Sequence, residues 1–269
     1  MLYPRPTPAQ AVEFYRLDNY YTHGKQENSR QEFGWPWRLI GRIAGKLDKG
    51  AEPTPAWWDQ TIGTATLRIL EVGAGRGAAL AMLRGKHHEV TGIEPDPAAR
   101  AAARHEFGLE LLAGTAEDMP NTGGSIDVVL LSHVLEHCLD PVRALDSAFQ
   151  RLRPGGILIV EVPNNEAAGL RIFARNWLWL DVPRHLNFFT MKSLRKIVEN
   201  RGFTVSAEQY RGFWRQFAPE WIAQQNEAGR IFGETTETGI LRGIELLVRS
   251  SMGGRKRKYD SIRIVAVKP

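Results

Sequence analysis

A single cysteine, Cys138, stands among 269 residues. It leaves no intrachain disulfide and no cysteine-rich zinc centre. No run of about 18 apolar residues occurs, so no segment is expected to cross a membrane. The opening stretch Met1-Leu2-Tyr3-Pro4-Arg5-Pro6-Thr7-Pro8 has no apolar core of a secretory leader. Together these gaps predict a cytoplasmic protein. No internal repeat is visible. His87 and His88 are adjacent but lack a third ligand at useful spacing, and no metal is expected.

Hydrophobic residues make up 43% and charged residues 24% of the chain. These are ordinary proportions for a globular protein of one large domain, or of one domain with additions. Lys and Arg outnumber Asp and Glu by 35 to 30, a net charge of +5. Part of the excess is local, in Arg255-Lys256-Arg257-Lys258 after Gly253-Gly254. One reading of this block is attraction to phosphate on a lipid surface, a nucleic acid or an anionic substrate. The other is a solvated loop before the last strand. Without interleaved aromatics it is a poor nucleic-acid signature.

The richest stretch is Ile69-Leu70-Glu71-Val72-Gly73-Ala74-Gly75-Arg76-Gly77. An apolar run ends in an acid and breaks into three alternate glycines, as where a buried strand turns into a helix around a nucleotide-like ligand. Glycine permits positive φ and close ligand approach. Gly73-x-Gly75-x-Gly77 suits an S-adenosylmethionine site, while Gly73-x-Gly75-x-x-Ala78 also satisfies the dinucleotide pattern. Glu94, 21 residues after Gly73, ends the next apolar run. It is placed to accept hydrogen bonds from ribose hydroxyls, a device that both ligands share.

From residue 67 strands and helices alternate. Strands are expected at Leu67–Val72, Glu89–Ile93, Leu109–Leu112, Ile126–Leu131 and Ile157–Val162, the last after a turn at Arg153-Pro154-Gly155-Gly156. Helices are expected from Ala78, over Pro97–Phe107 and over Pro141–Leu152. That alternation implies a parallel sheet with right-handed crossovers. Thr190 is placed to cap a helix over Met191–Asn200 that Gly202 ends. Phe203–Gln209 and Ser261–Val267 read as strands. Ile240, Leu241, Ile244, Leu247 and Val248 fall at helical spacing, as do Leu39, Ile40, Ile43, Ala44 and Leu47. The expected organisation is an N-terminal helical and aromatic arm or lid over residues 1–60. A main domain over 61–269 follows, with insertions at about 164–189 and 213–258.

Further motifs follow in order: Gly114-Thr115-Ala116-Glu117-Asp118-Met119-Pro120, Ser125-Ile126-Asp127 through Ser132-His133-Val134-Leu135-Glu136-His137, and Leu152-Arg153-Pro154-Gly155-Gly156-Ile157-Leu158. Later come Asp181-x-Pro183-Arg184-His185-Leu186-x-Phe188-Phe189-Thr190, Ser193-Leu194 and Gly202-Phe203. In this order they resemble the class I S-adenosylmethionine-dependent methyltransferases. The likeness is nearest to the subgroup of ubiquinone-biosynthesis-type and small-molecule enzymes, over roughly residues 67–205.

The resemblance implies an α/β, Rossmann-like sheet of seven strands in the order 3-2-1-4-5-7-6, the last strand antiparallel, flanked by helices. It implies S-adenosyl-L-methionine as donor and S-adenosyl-L-homocysteine as product. Glu71, Gly73, Ala74, Gly75 and Gly77 would hold the methionine part, and Glu94 with Pro95 the ribose. Thr115, Ala116 and Glu117 would border the adenine, with Ser132 and His133 beside the methionine and the methyl. The family often has Asp where Thr115 stands. The sequence lacks the Asn/Asp-Pro-Pro-aromatic tetrad of amino-methylating DNA enzymes, reading Ser132-His133-Val134-Leu135 there, and it lacks a Pro-Cys nucleophile.

A donor of this type needs an acceptor held in line and kept dry, with a base if the acceptor is a phenol, enol or acidic carbon. His137 and His185 are the candidate bases, His133 a weaker one. Trp177, Trp179, Arg184 and Phe188 are candidate acceptor contacts; the aromatics serve equally as core. The expected activity is methyl transfer to O or C of a small-molecule or lipid-like acceptor. An NAD-dependent oxidoreductase and a non-catalytic methyltransferase-like binding module are the alternatives. Other expected partners are a peripheral membrane contact through Arg255–Lys258 and a homodimer.

Overall fold

The computed structural model describes residues 5–7, 10, 34–231, 233 and 238–269. Most of residues 1–33, including the opening stretch read above, lies outside them. The chain divides into two compact units.

The unit made of residues 52–162, 189–209 and 262–269 is built on a six-stranded mixed sheet. Its strands are β1 (Arg68–Val72), β2 (Glu89–Ile93), β3 (Ile126–Ser132), β4 (Leu152–Pro163), β5 (Thr204–Arg211) and β6 (Ser261–Val267). Their order is β2-β1-β3-β4-β6-β5. The pairs β1–β2, β1–β3 and β3–β4 are parallel. These are the near-continuous apolar runs that a sheet covered on both faces requires. Leu70, Val128, Leu131, Leu158 and Val160 are accordingly buried.

The sheet follows the expected order with one strand fewer. Leu109–Leu112 forms only an isolated parallel bridge, Ile93↔Leu112. This place is the sheet margin, where Leu112 is partly exposed and a short edge limits unpaired backbone. The turn at Arg153–Gly156 also differs, lying within β4 as a bulge. Ile126 pairs with Leu152 and Val128 with Ile157, so extra residues loop out on one strand.

Helix starts follow their capping residues. Asp96 accepts from Ala98 N at 2.9 Å, and Asp140 accepts from Val142 N and Arg143 N, each at 3.0 Å. A proline occupies the first turn of both helices. Thr190 and Ser193 form a capping box at Met191–Glu199.

The second unit comprises residues 163–188, 210–261 and the described part of 1–51. Its longer helices are Trp35–Leu47, Pro219–Ile231 and Ile240–Met252. Buried polar side chains fasten its irregular segments. Gln225 Oε1 accepts from Leu178 N at 2.9 Å. Asn164 Nδ2 donates to the carbonyls of Lys256 and Tyr259, both at 2.8 Å. The first and third helices pack together where Gly243 meets Trp37, and a Cβ on that glycine would lie 2.6 Å from the indole. Contact through the small residue leaves much of each apolar stripe outside. Ile40 and Ala44 are buried, whereas Leu39, Ile43 and Leu47 are exposed. Leu246 is buried, whereas Leu241, Ile244 and Val248 are exposed. No described helix is long and apolar enough to cross a membrane.

Candidate functional site

At the carboxyl end of β1 the three glycines take positive φ: +68° at Gly73, +54° at Gly75 and +82° at Gly77. Each has its own constraint. A Cβ on Gly73 would lie 2.7 Å from Val134, and one on Gly77 2.8 Å from Leu109. A Cβ on Gly75 meets no described atom within 4 Å, so its backbone borders open space. Gly73 N and Ala74 N both donate to Ile93 O, at 2.8 and 3.1 Å, tying the turn to β2. Gly77 then starts helix Ala78–Gly85 without a side-chain cap.

Glu71 sits just before this turn, buried, between Gly92 and Leu130 in the sheet register. Its Oε2 has no hydrogen-bond partner among the described residues. Burial, with a smaller contribution from the Glu94 charge, pushes its carboxyl up to about 8. A buried orphan oxygen beside an uncluttered glycine fits the amino-acid end of a cationic ligand.

Glu94 is also buried. Its Oε2 accepts from Gly75 N at 2.7 Å and its Oε1 from Asp96 N at 2.9 Å. The carboxylate therefore holds the glycine turn in shape. Pro95 follows it, and Pro95 O accepts from Arg100 Nη1 at 2.7 Å. On the neighbouring loop Thr115 Oγ1 accepts from Asp118 N at 3.2 Å. Ala116 is buried. Glu117 Oε1 accepts from Leu139 N at 2.9 Å, fastening this loop to the segment after β3.

Ser132 ends β3 and is half-buried. His133 follows in the left-handed region at φ +55°. Its Nδ1 lies 3.1 Å from Glu136 Oε1 and its Nε2 3.2 Å from Glu161 Oε1. Burial works against a charge there, but hydrogen bonds to the two carboxylates outweigh it and lift the imidazole to about 9. That direction favours the imidazolium form near neutral pH. Glu161 Oε2 in turn accepts from Arg263 Nε and Nη2, at 2.9 and 2.6 Å. The Arg263 guanidinium lies 4.2 Å over the Trp57 ring, and Trp57 Nε1 donates to Gln209 Oε1 at 3.1 Å. Glu161 and Arg263 are functional candidates that the sequence reading missed. Their signal was present: one acid and one base interrupt otherwise apolar strands. His137 is half-buried, its N donating to Val134 O at 3.0 Å.

The other candidates belong to the second unit. His185 is buried, with Nδ1 2.8 Å from Trp179 O. Arg184 donates through Nη2 to Asp181 Oδ1 at 2.6 Å. Trp177 is buried against Gly169. Trp179 Nε1 donates to Asp260 Oδ2 at 3.1 Å, and Arg215 holds the same carboxylate through Nε and Nη2. Phe188 is half-buried.

A family model described as a methyltransferase domain matches residues 29–208. A protein of Mycobacterium sp. (strain KMS), described as an uncharacterized methyltransferase, is 32% identical over 127 residues, 46% of this chain and 50% of that one. The ubiquinone biosynthesis O-methyltransferase of Azorhizobium caulinodans is 28% identical over 166 residues, 55% of this chain and 66% of its own. The chain spans about half the length of most of the curated relatives it matches. Among solved structures, the Burkholderia thailandensis 1,6-didemethyltoxoflavin-N1-methyltransferase, with 1,6-didemethyltoxoflavin and S-adenosylhomocysteine bound, aligns at TM-score 0.55 and 15% identity. That alignment takes in 100% of this chain and 93% of the other. The cyclase SpnF aligns at TM-score 0.54 and 19% identity over 85% and 80%. Likeness at this level is one of fold, and a cyclase among the neighbours keeps fold and reaction separate.

Proposed function

The chain belongs to the methyltransferase-domain family, among the class I S-adenosylmethionine-dependent enzymes, and from that premise we propose that it transfers a methyl group from S-adenosylmethionine to an oxygen or carbon of a small-molecule or lipid-like acceptor. The observation that carries the reading is the open face of Gly75 beside the buried, unpartnered oxygen of Glu71. When bound, the donor supplies a methyl on a sulfonium, whose leaving group is a neutral thioether. Glu71 takes the ammonium of the amino-acid end and gives up its own proton in doing so. Gly73, Ala74, Gly75 and Gly77 present backbone to the same end. Glu94, with Pro95, faces the ribose hydroxyls, and Thr115, Ala116 and Glu117 border the adenine. Ser132 and His133 flank the reacting side, the imidazole held by Glu136 and Glu161. His137, in the segment that follows β3, removes the acceptor proton.

Calorimetry tests this directly. S-adenosylmethionine and S-adenosylhomocysteine should both bind the purified chain, and NAD should not. Gly75→Ala places a methyl in the open space and should weaken donor binding roughly tenfold or more, about 1.4 kcal/mol. Release of S-adenosylhomocysteine with phenol, enol or carbon-acid acceptors completes the test. Uptake of NAD without uptake of the sulfonium would overturn the reading. Tight donor binding with no turnover on any acceptor would favour the binding-module alternative.

A further inference from the structure

Helix Ile240–Met252 buries Gly243, Leu246 and Ser250. Leu241, Ile244, Val248 and Met252, at spacings of three and four, form one stripe on another face, and all four are exposed, Leu241 at 82% and Met252 at 83%. Helix Trp35–Leu47, packed against it, repeats the arrangement: Trp35, Leu39, Ile43 and Leu47 recur every four residues and are exposed, Trp35 at 75%. Arg38, Arg42 and Lys46 lie along this second stripe and are exposed as well. Arg255, Lys256 and Arg257 stand in solvent after the third helix, whereas Lys258 donates to Leu47 O and so serves the fold. Arg255, Lys256 and Arg257, with Arg171 and Glu166, line a recess of about 450 Å³. Glu245, the acid on the two helices, is paired with Arg249.

We propose that this helical unit docks on an anionic lipid surface through the two exposed apolar stripes, with the cations beside them on the phosphates. An amphipathic helix pair lies in the headgroup plane in this way, its aliphatic residues buried and its cations on the anionic lipid. Trp35 is the residue type that settles at such a boundary. Charge decides against a second copy of the chain. A twofold pairing would oppose the same cations across the contact. The docking stands apart from the methyl-transfer reading, because vesicle binding and donor binding are measured separately.

The test sediments the full chain with phosphatidylcholine vesicles, alone or with about one third phosphatidylglycerol. The chain should pellet with the anionic vesicles and remain in solution with the neutral ones, the binding weakening as salt rises. Leu241→Glu with Met252→Glu should cut the partition by about tenfold or more. Neutralising Arg255, Lys256 and Arg257 to Gln should cost about fivefold per charge. These side chains are exposed, so unchanged thermal melting should report an intact fold. Inorganic phosphate should displace the protein no better than chloride at equal ionic strength. Equal partition onto neutral vesicles, no partition onto either, full release by phosphate alone, or unchanged partition of the Leu241/Met252 variant would each overturn the proposal. So would a solution dimer that the same variant dissociates and that vesicles do not capture.

Discussion

Arg263 sits among Ile262, Ile264 and Val265 with all four buried, whereas Leu241, Ile244, Val248 and Met252 of the other unit stand in solvent. The sheet encloses a charge, and the helices expose hydrocarbon. The difference follows from how each element finds its neighbours. A strand covered on both faces has no outside, so any charge in it must be matched within the layer. A helix has a circumference, and contact through Gly243 against Trp37 uses a narrow arc of it. A central sheet position is therefore intolerant of unpaired charge, and a helix stripe is left over for another surface.

The sharpest way to break this contrast is Arg263→Met. It would strand Glu161 inside the sheet, and loss of one partner of a buried pair costs about 3–5 kcal/mol. Chemical denaturation should show that loss, while the double change with Glu161→Gln should recover much of it. A recovery absent from the double variant would show that the pair is not coupled.

A smaller effect concerns the proton on Glu71. Its carboxyl is raised to about 8, against 4.5 ordinarily. The folded protein therefore holds this proton more tightly than the unfolded chain. Without ligand, the stability it lends is full below pH 4.5 and fades as pH rises towards 8. A cationic ligand reverses the preference. Between those pH values binding should release up to about one proton and strengthen as pH rises. Calorimetry in buffers of differing ionisation enthalpy measures this release, and Glu71→Gln should abolish it. His133 shows the same sign at a higher range: raised from 6.5 to about 9, its contribution to stability is full below 6.5 and fades as pH climbs through 9.

The smallest expected effect completes the comparison. Leu241→Ser should change stability by no more than about 0.5 kcal/mol, as for exposed positions without special contacts. A larger loss on thermal melting would show that the stripe is part of the core after all.

Much of the sheet and of its turn was legible. The runs expected as strands at Leu67–Val72, Ile126–Leu131 and Ile157–Val162 became β1, β3 and the second half of β4, because a mostly apolar run has one place to go. Glycines 73, 75 and 77 announced positive φ, and all three adopt it. Thr190 announced its cap. Other features depended on residues far apart in the chain. Glu161 and Arg263 are separated by 102 positions, so neither strand alone says that its charge is matched. Helical spacing of Leu39, Ile43 and Leu47 identified a helix but not which arc would be covered. The weak third strand arose because its place lies at the sheet margin, where one bridge is enough to hold Leu112.

The amino-acid order by itself determined the strand–turn–helix at Gly73–Gly77, the acid before it and the alternation that builds the sheet, because these are set by φ restrictions and by apolar runs between neighbours along the chain. Tertiary structure decided that His133 lies between two carboxylates, that Glu94 braces the turn, and which helix side chains are exposed among the described residues. Those outcomes depend on burial and on partners brought close through space, and local sequence carries no record of either.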